Sequence, residues 1–116
     1  MDKYLLQQRT KKYAIACIKL CEKFPASKIT DVIIYQLVKS ATSVGANYRA
    51  ACRAKSKADF INKLKIVEEE ADESMYWIEL LGELGYLKGV VFEKAIKESK
   101  ELVAIFTSAV KTSKST

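Results

Sequence analysis

Apolar residues return along most of this chain at intervals of three and four, the spacing that lines one face of an α-helix. Ile34, Leu37, Ala41, Val44, Tyr48 and Ala51 follow one another at steps of 3, 4, 3, 4 and 3, a heptad-like seam. Phe60, Leu64, Val67, Ala71, Ser74, Ile78 and Leu81 repeat the pattern at 4, 3, 4, 3, 4 and 3. An earlier segment places Leu6, Tyr13, Cys17, Leu20, Cys21 and Phe24 on one face, and a later one Phe92, Ala95, Ile96, Ser99, Leu102, Val103, Phe106 and Val110. These faces predict helices over about 3–24, 28–53, 57–84 and 90–111, with 112–116 as a flexible polar tail.

The punctuation agrees with the periodicity. Pro25 disfavours helical geometry in the residue before it and lacks an N–H donor, so the first helix stops there. Ser27 or Thr30 can cap the second. Ser56-Lys57-Ala58-Asp59 has the form of a capping box ahead of the third, and Gly85 suits a left-handed stop after it, with Gly89 ending the loop. Four long helices with short connections fold most simply as one all-α domain over 1–116, an up-down-up-down antiparallel four-helix bundle. Two local features modify this picture. Ser40, Ala41, Ser43, Gly45 and Ala46 make the middle of the second helix small enough for a neighbour to approach closely. Met75, Trp77, Leu80 and Leu84 widen the apolar stripe late in the third, which predicts burial on more than one side.

Composition adds little beyond supporting a folded chain: 49% hydrophobic and 29% charged residues, with only four glycines and one proline among 116 residues, leave no room for a turn-rich β architecture. No apolar run approaches a membrane span, and the first basic cluster follows the short apolar pair Leu5–Leu6, the reverse of a secretory signal, so a cytoplasmic protein is expected. Cys17, Cys21 and Cys52 are odd in number and read as small core residues; as a zinc site they lack a fourth ligand unless subunits share one.

Charge changes the picture more. The net +6 is unevenly spread: residues 39–65 hold seven basic side chains against Asp59 alone, and residues 66–87 hold seven acidic ones with no basic partner. Lys39, Arg49, Arg53, Lys55, Lys57 and Lys63 therefore form a candidate basic patch around the turn between the second and third helices. Such clusters neutralise phosphates and bind nucleic acid with strong salt dependence and little sequence preference. The plain alternative is a basic helix end that only solubilises the protein or pairs with acidic neighbours. Asn47, on the second helix, reads as a structural amide bonding across the bundle, ahead of a functional one.

Nothing points to catalysis. The chain has no histidine, the commonest general base, and no phosphate-binding loop, nucleophile elbow or dinucleotide fingerprint. Glu68/Asp72 and Glu69/Glu73 stand one helical turn apart, but bundle di-metal sites need Glu-x-x-His pairs, so the acidic run reads as a solvated face. A non-enzyme without cofactor or metal is expected.

The stretch from Ser43 to Tyr86 resembles the small four-helix-bundle family first noticed as reading frames within intervening sequences of bacterial 23S ribosomal RNA. Ser43, Val44, Ala46, Asn47 and Tyr48 match its helix-2 pattern. Ser56, Asp59 and Phe60 match its turn, Leu84, Gly85 and Tyr86 its Leu-Gly-Tyr ending, and Lys39 stands where the family often has Arg. The resemblance implies the same bundle over nearly the whole chain. Through the related accessory variability determinant of diversity-generating retroelements, it further implies a pentameric ring that binds nucleic acid and a reverse transcriptase through basic surfaces. Two function classes follow: a nucleic-acid-binding accessory protein, or a protein-binding scaffold whose acidic segment and basic turn meet head to tail between subunits. Exposure of Tyr76 or Trp77 would favour the second.

Overall fold

The structure, a computed structural model, describes residues 2–115 as four α-helices: α1 (Lys3–Cys21), α2 (Lys28–Ala51), α3 (Lys57–Glu83) and α4 (Gly89–Ser115). Each of the first three begins where a side-chain oxygen accepts otherwise unpaired backbone N–H groups. Asp2 Oδ1 accepts from the N–H groups of Tyr4 (2.7 Å) and Leu5 (3.2 Å), Ser27 Oγ from Thr30 (3.1 Å) and Ser56 Oγ from Asp59 (3.0 Å). The box at α3 closes one residue further out than the motif implies: the Asp59 carboxylate accepts the N–H of Lys55, at 3.0 Å.

Three helix ends differ slightly from the sequence expectation. α1 stops at Cys21, because the approach to Pro25 tightens its last turn into the three-residue bonds Lys23 N–H to Leu20 O and Phe24 N–H to Cys21 O. α2 ends at Ala51 and α3 at Glu83. There Gly85 takes φ 84°, and Tyr86 N–H reaches Leu81 O while Gly85 N–H reaches Gly82 O, a Schellman stop. The largest difference is at the end of the chain. α4 runs through the polar residues expected to be a tail, with Ser115 Oγ donating to Lys111 O at 3.0 Å. Thr116, the last residue of that expected tail, lies outside the described residues.

The helices pack in sequence order around one core. α2 lies against α3, α3 against α4 and α1 against α2, while α1 and α4 approach each other least. The long axis of 46 Å fits the roughly 40 Å rise of a 27-residue helix. Leu37, Ala41, Val44, Leu64, Val67, Ile78, Leu81, Leu102 and Phe106 are fully buried between them. The register of α2 begins on Ile33, which is buried, rather than on the half-buried Ile34. The small stretch of α2 receives α1: a Cβ at Gly45 would stand 3.3 Å from Thr10 Oγ1. Late in α3, the widened stripe is covered only in part. Met75, Trp77 and Leu80 are half-buried against the core and Leu84 is exposed, so the wider burial is partial within one chain.

Polar groups in the core are satisfied at short range. Thr10, Ser40 and Ser99 bond to carbonyls one turn earlier in their own helices. Tyr13 Oη meets Ser74 Oγ at 2.7 Å, a hydrogen bond that spans the bundle from α1 to α3, and Ser74 donates in turn to Ala71 O. No buried side-chain nitrogen or oxygen lacks a partner among the described residues. Burial raises the thiols of Cys17 to about 12 and Cys21 to about 11, so both are inert, protonated core residues. No described helix is long and apolar enough to cross a membrane.

Candidate nucleic-acid interface

Antiparallel packing assembles one end of the bundle from four parts of the chain: the start of α1, the end of α2, the start of α3 and the end of α4. Two surface depressions record this. Lys3, Tyr48, Ala51, Ser56 and Phe60 line one, and Leu6, Tyr48, Phe60, Leu64, Ile105 and Thr112 share the other. The turn between α2 and α3 crosses this end in five residues, held by Ala54 N–H to Ala51 O and by the Ser56 and Asp59 caps. A turn so short leaves its basic side chains no core to enter.

Arg49, Arg53, Lys55 and Lys57 are all exposed, and none has an ion pair among the described residues. Arg49 and Arg53 stand one turn apart near the carboxyl end of α2, where the helix dipole favours cations. Lys57 opens α3, where the dipole disfavours a cation and favours an anion, so an incoming phosphate gains from helix and side chain together.

Two residues of the expected patch belong elsewhere. Lys63 Nζ is bound to Asp59 Oδ1 at 2.6 Å, one turn away on α3, and its charge is therefore spoken for. That contact first, and the Lys55 N–H second, hold the Asp59 carboxyl below its ordinary value. Lys39 is exposed but faces α3, where its charge acts on Glu70. Burial and the neighbouring Glu73 push that carboxyl up, and Ser43 and Lys39 oppose the shift.

Asn47 is half-buried, and its Nδ2 donates to Ser43 O in its own helix at 2.8 Å. The expected bond across the bundle is not the one it makes: at the periphery of α2 the short amide reaches the carbonyl one turn back first.

Sequence reasoning missed three members of the basic end. Lys3 joins from α1, and Lys111 and Lys114, all exposed, from the extension of α4. Lys3 carried a legible signal, since an antiparallel bundle must bring the start of α1 beside the end of α2. The two α4 lysines fell in or next to the segment read as a tail. The acids at this end are occupied: Asp2 caps α1 and Asp59 holds Lys63. On α1's other side, Arg49 shares a polar groove of about 330 Å³ with Gln7, Gln8, Lys11 and Thr42, so the cationic surface continues along the α1–α2 seam. Among the described residues, no group of three or more Cys, Asp or Glu side chains is placed to hold a metal ion.

The family described as 23S rRNA-intervening sequence protein matches residues 2–108. Among solved structures, a crystal structure from Bacteroides thetaiotaomicron, described as a protein of unknown function from the S23 ribosomal protein family, is similar to this chain. The identity is 33% and the TM-score 0.86, over 96% of this chain and 99% of that one. No protein of curated function matches the chain. Neither description names a catalysed reaction.

Proposed function

The chain belongs to the 23S rRNA-intervening sequence protein family, and from that premise we propose that it is a cytoplasmic, non-enzymatic accessory protein that binds RNA or DNA through its basic end. The observation that carries the reading is the set Arg49, Arg53, Lys55 and Lys57, exposed and without carboxylate partners among the described residues. Lys3, Lys111 and Lys114 extend it. Guanidinium pairs grip phosphate bidentately and ammonium groups add point charge, a combination suited to a backbone rather than to bases. In a ring of the kind the resemblance implies, repeated copies of a weak site would act together, and avidity would exceed any single contact. A reverse transcriptase is the protein partner the same resemblance suggests.

The experiment is fluorescence anisotropy with labelled single-stranded and duplex oligonucleotides, comparing wild type with Arg49→Glu/Arg53→Glu. The double variant is expected to fold normally and to lose binding about a hundredfold or more. Unchanged binding would remove the basic end from the account.

A second reading keeps the protein as an interaction scaffold. Its support is Tyr76, 53% exposed late in α3 and set edge-on against Trp77 with ring centroids 5.0 Å apart. Exposed aromatics of this kind anchor protein interfaces. The two readings are compatible wherever assembly leaves the basic end open.

A further inference from the structure

The loosest seam of the bundle is also rimmed with lysine. Between α1 and α4 runs a groove of about 410 Å³ whose floor is Tyr13, Cys17, Leu20 and Ala95. Lys12, Lys19, Lys23 and Lys94 stand around it, all exposed and without an ion pair among the described residues. The carboxylate at its edge, Glu98, is already bound by Arg9, at 2.6 and 2.9 Å.

The outward face of α3 is the counterpart. Glu69, Asp72, Tyr76, Glu79 and Glu83 follow at steps of 3, 4, 3 and 4 and form one exposed stripe. None of its carboxylates has an ion pair among the described residues. Its one apolar body, the Tyr76 ring, sits in the middle. Four carboxylates over about 21 Å of helix face four ammonium groups, Lys12 and Lys19 about 10 Å apart along α1, Lys23 in the turn just beyond it and Lys94 on α4. Because α3 packs on α2 and α4, its outward face lies away from the α1–α4 groove, so no chain can satisfy its own pair.

We propose that the acidic face of α3 docks into the lysine-rimmed α1–α4 groove of a second copy of this chain, with Tyr76 on the apolar floor. The contact joins unlike surfaces, so it propagates from copy to copy and either closes a ring or extends. It names the interface for the assembly suggested above and rests on that part of the proposed function. It also settles a competition, since carboxylates consumed at the groove leave Arg49, Arg53, Lys55 and Lys57 open for phosphate.

The test uses size-exclusion chromatography with light scattering on the full chain, without nucleic acid. Wild type is expected to run as an oligomer that weakens as salt screens the pairs. Lys19→Glu/Lys23→Glu and Glu79→Lys/Glu83→Lys each place like charges in contact and should raise the dissociation constant about a hundredfold. All four changes in one chain restore opposite charges and should restore the oligomer. Tyr76→Ala, which alters no charge, should weaken assembly as well. A monomeric wild type, which would leave the groove to some other acidic partner, overturns the proposal. So does an oligomer indifferent to both charge reversals, or one that the fourfold exchange fails to rescue. Oligonucleotide binding measured on the same variants, whose basic end is intact, reports separately on the nucleic-acid reading.

Discussion

The α2–α3 pair and the α1–α4 pair solve the same packing problem differently. Between α2 and α3, Leu37, Ala41 and Val44 interdigitate with Leu64, Val67 and Ala71, all at 0–1% exposure, and the connecting turn is five residues long. Between α1 and α4 the floor of the groove is reached by Tyr13 and Cys17, the rim is lysine, and the cross-link is Arg9 with Glu98 and Glu101. A seam closed by apolar heptads carries stability. A seam left open with unpaired charge along it is free to carry a contact with something else.

The largest effect expected from this comparison is at the closed side. Leu37→Ala should destabilise by about 2–5 kcal/mol, since Leu37 is fully buried on the α2 side of this seam, and chemical denaturation will read it. Leu20→Ala, at the half-buried edge of the open seam, should lose less than half as much; equal losses would mean that the seams are energetically alike.

Next comes the hydrogen bond that ties α1 into the core. Ser74→Ala leaves the buried Tyr13 hydroxyl with only the weakly bonding Cys17 thiol and should destabilise by about 1–3 kcal/mol, whereas Tyr13→Phe leaves Ser74 still bonded to Ala71 O and should lose about 1 kcal/mol or less. If Tyr13→Phe proved the worse of the two, the bond would be serving something other than burial.

At the open seam itself, Arg9→Ala should destabilise by about 1 kcal/mol or less, because Arg9 and Glu98 are a quarter to a third exposed, and the difference should shrink as salt is added. A further effect, confined to alkaline solution, is in pH. Cys17 and Cys21 are raised in the folded chain above the ordinary 9.0 of an unfolded thiol. Their contribution is fully present below pH 9 and is lost as pH rises through 11 and 12. Alkaline unfolding followed by circular dichroism should therefore shift upward in Cys17→Ala/Cys21→Ala relative to its own stability at pH 7.

How much of this was legible follows the same division. The α3 heptad appears in the structure residue for residue from Leu64 to Leu81, and Ser27, Ser56 and Gly85 end helices where their chemistry requires. The phase of α2 near its start was not legible, because Ile33 and Ile34 are chemically alike and only packing chooses between them. Nor was the end of α4, whose Thr, Ser and Lys residues tolerate a helix without demanding one. In the basic patch, Arg49, Arg53, Lys55 and Lys57 could be read from charge and spacing. The diversion of Lys63 to Asp59 is an i,i+4 pair visible in the sequence, but its consequence for the patch depends on where the cap places Asp59. The groove between α1 and α4 was illegible, since it arises from how far apart two non-consecutive helices settle.

Whether the free cations of the basic end meet phosphate is tested most directly by the dependence of oligonucleotide affinity on salt. Four contacts per chain to a single strand predict that log K falls linearly against log salt concentration with a slope of about −3 per engaged subunit. A slope near zero, or no binding even at low salt, would contradict that contact.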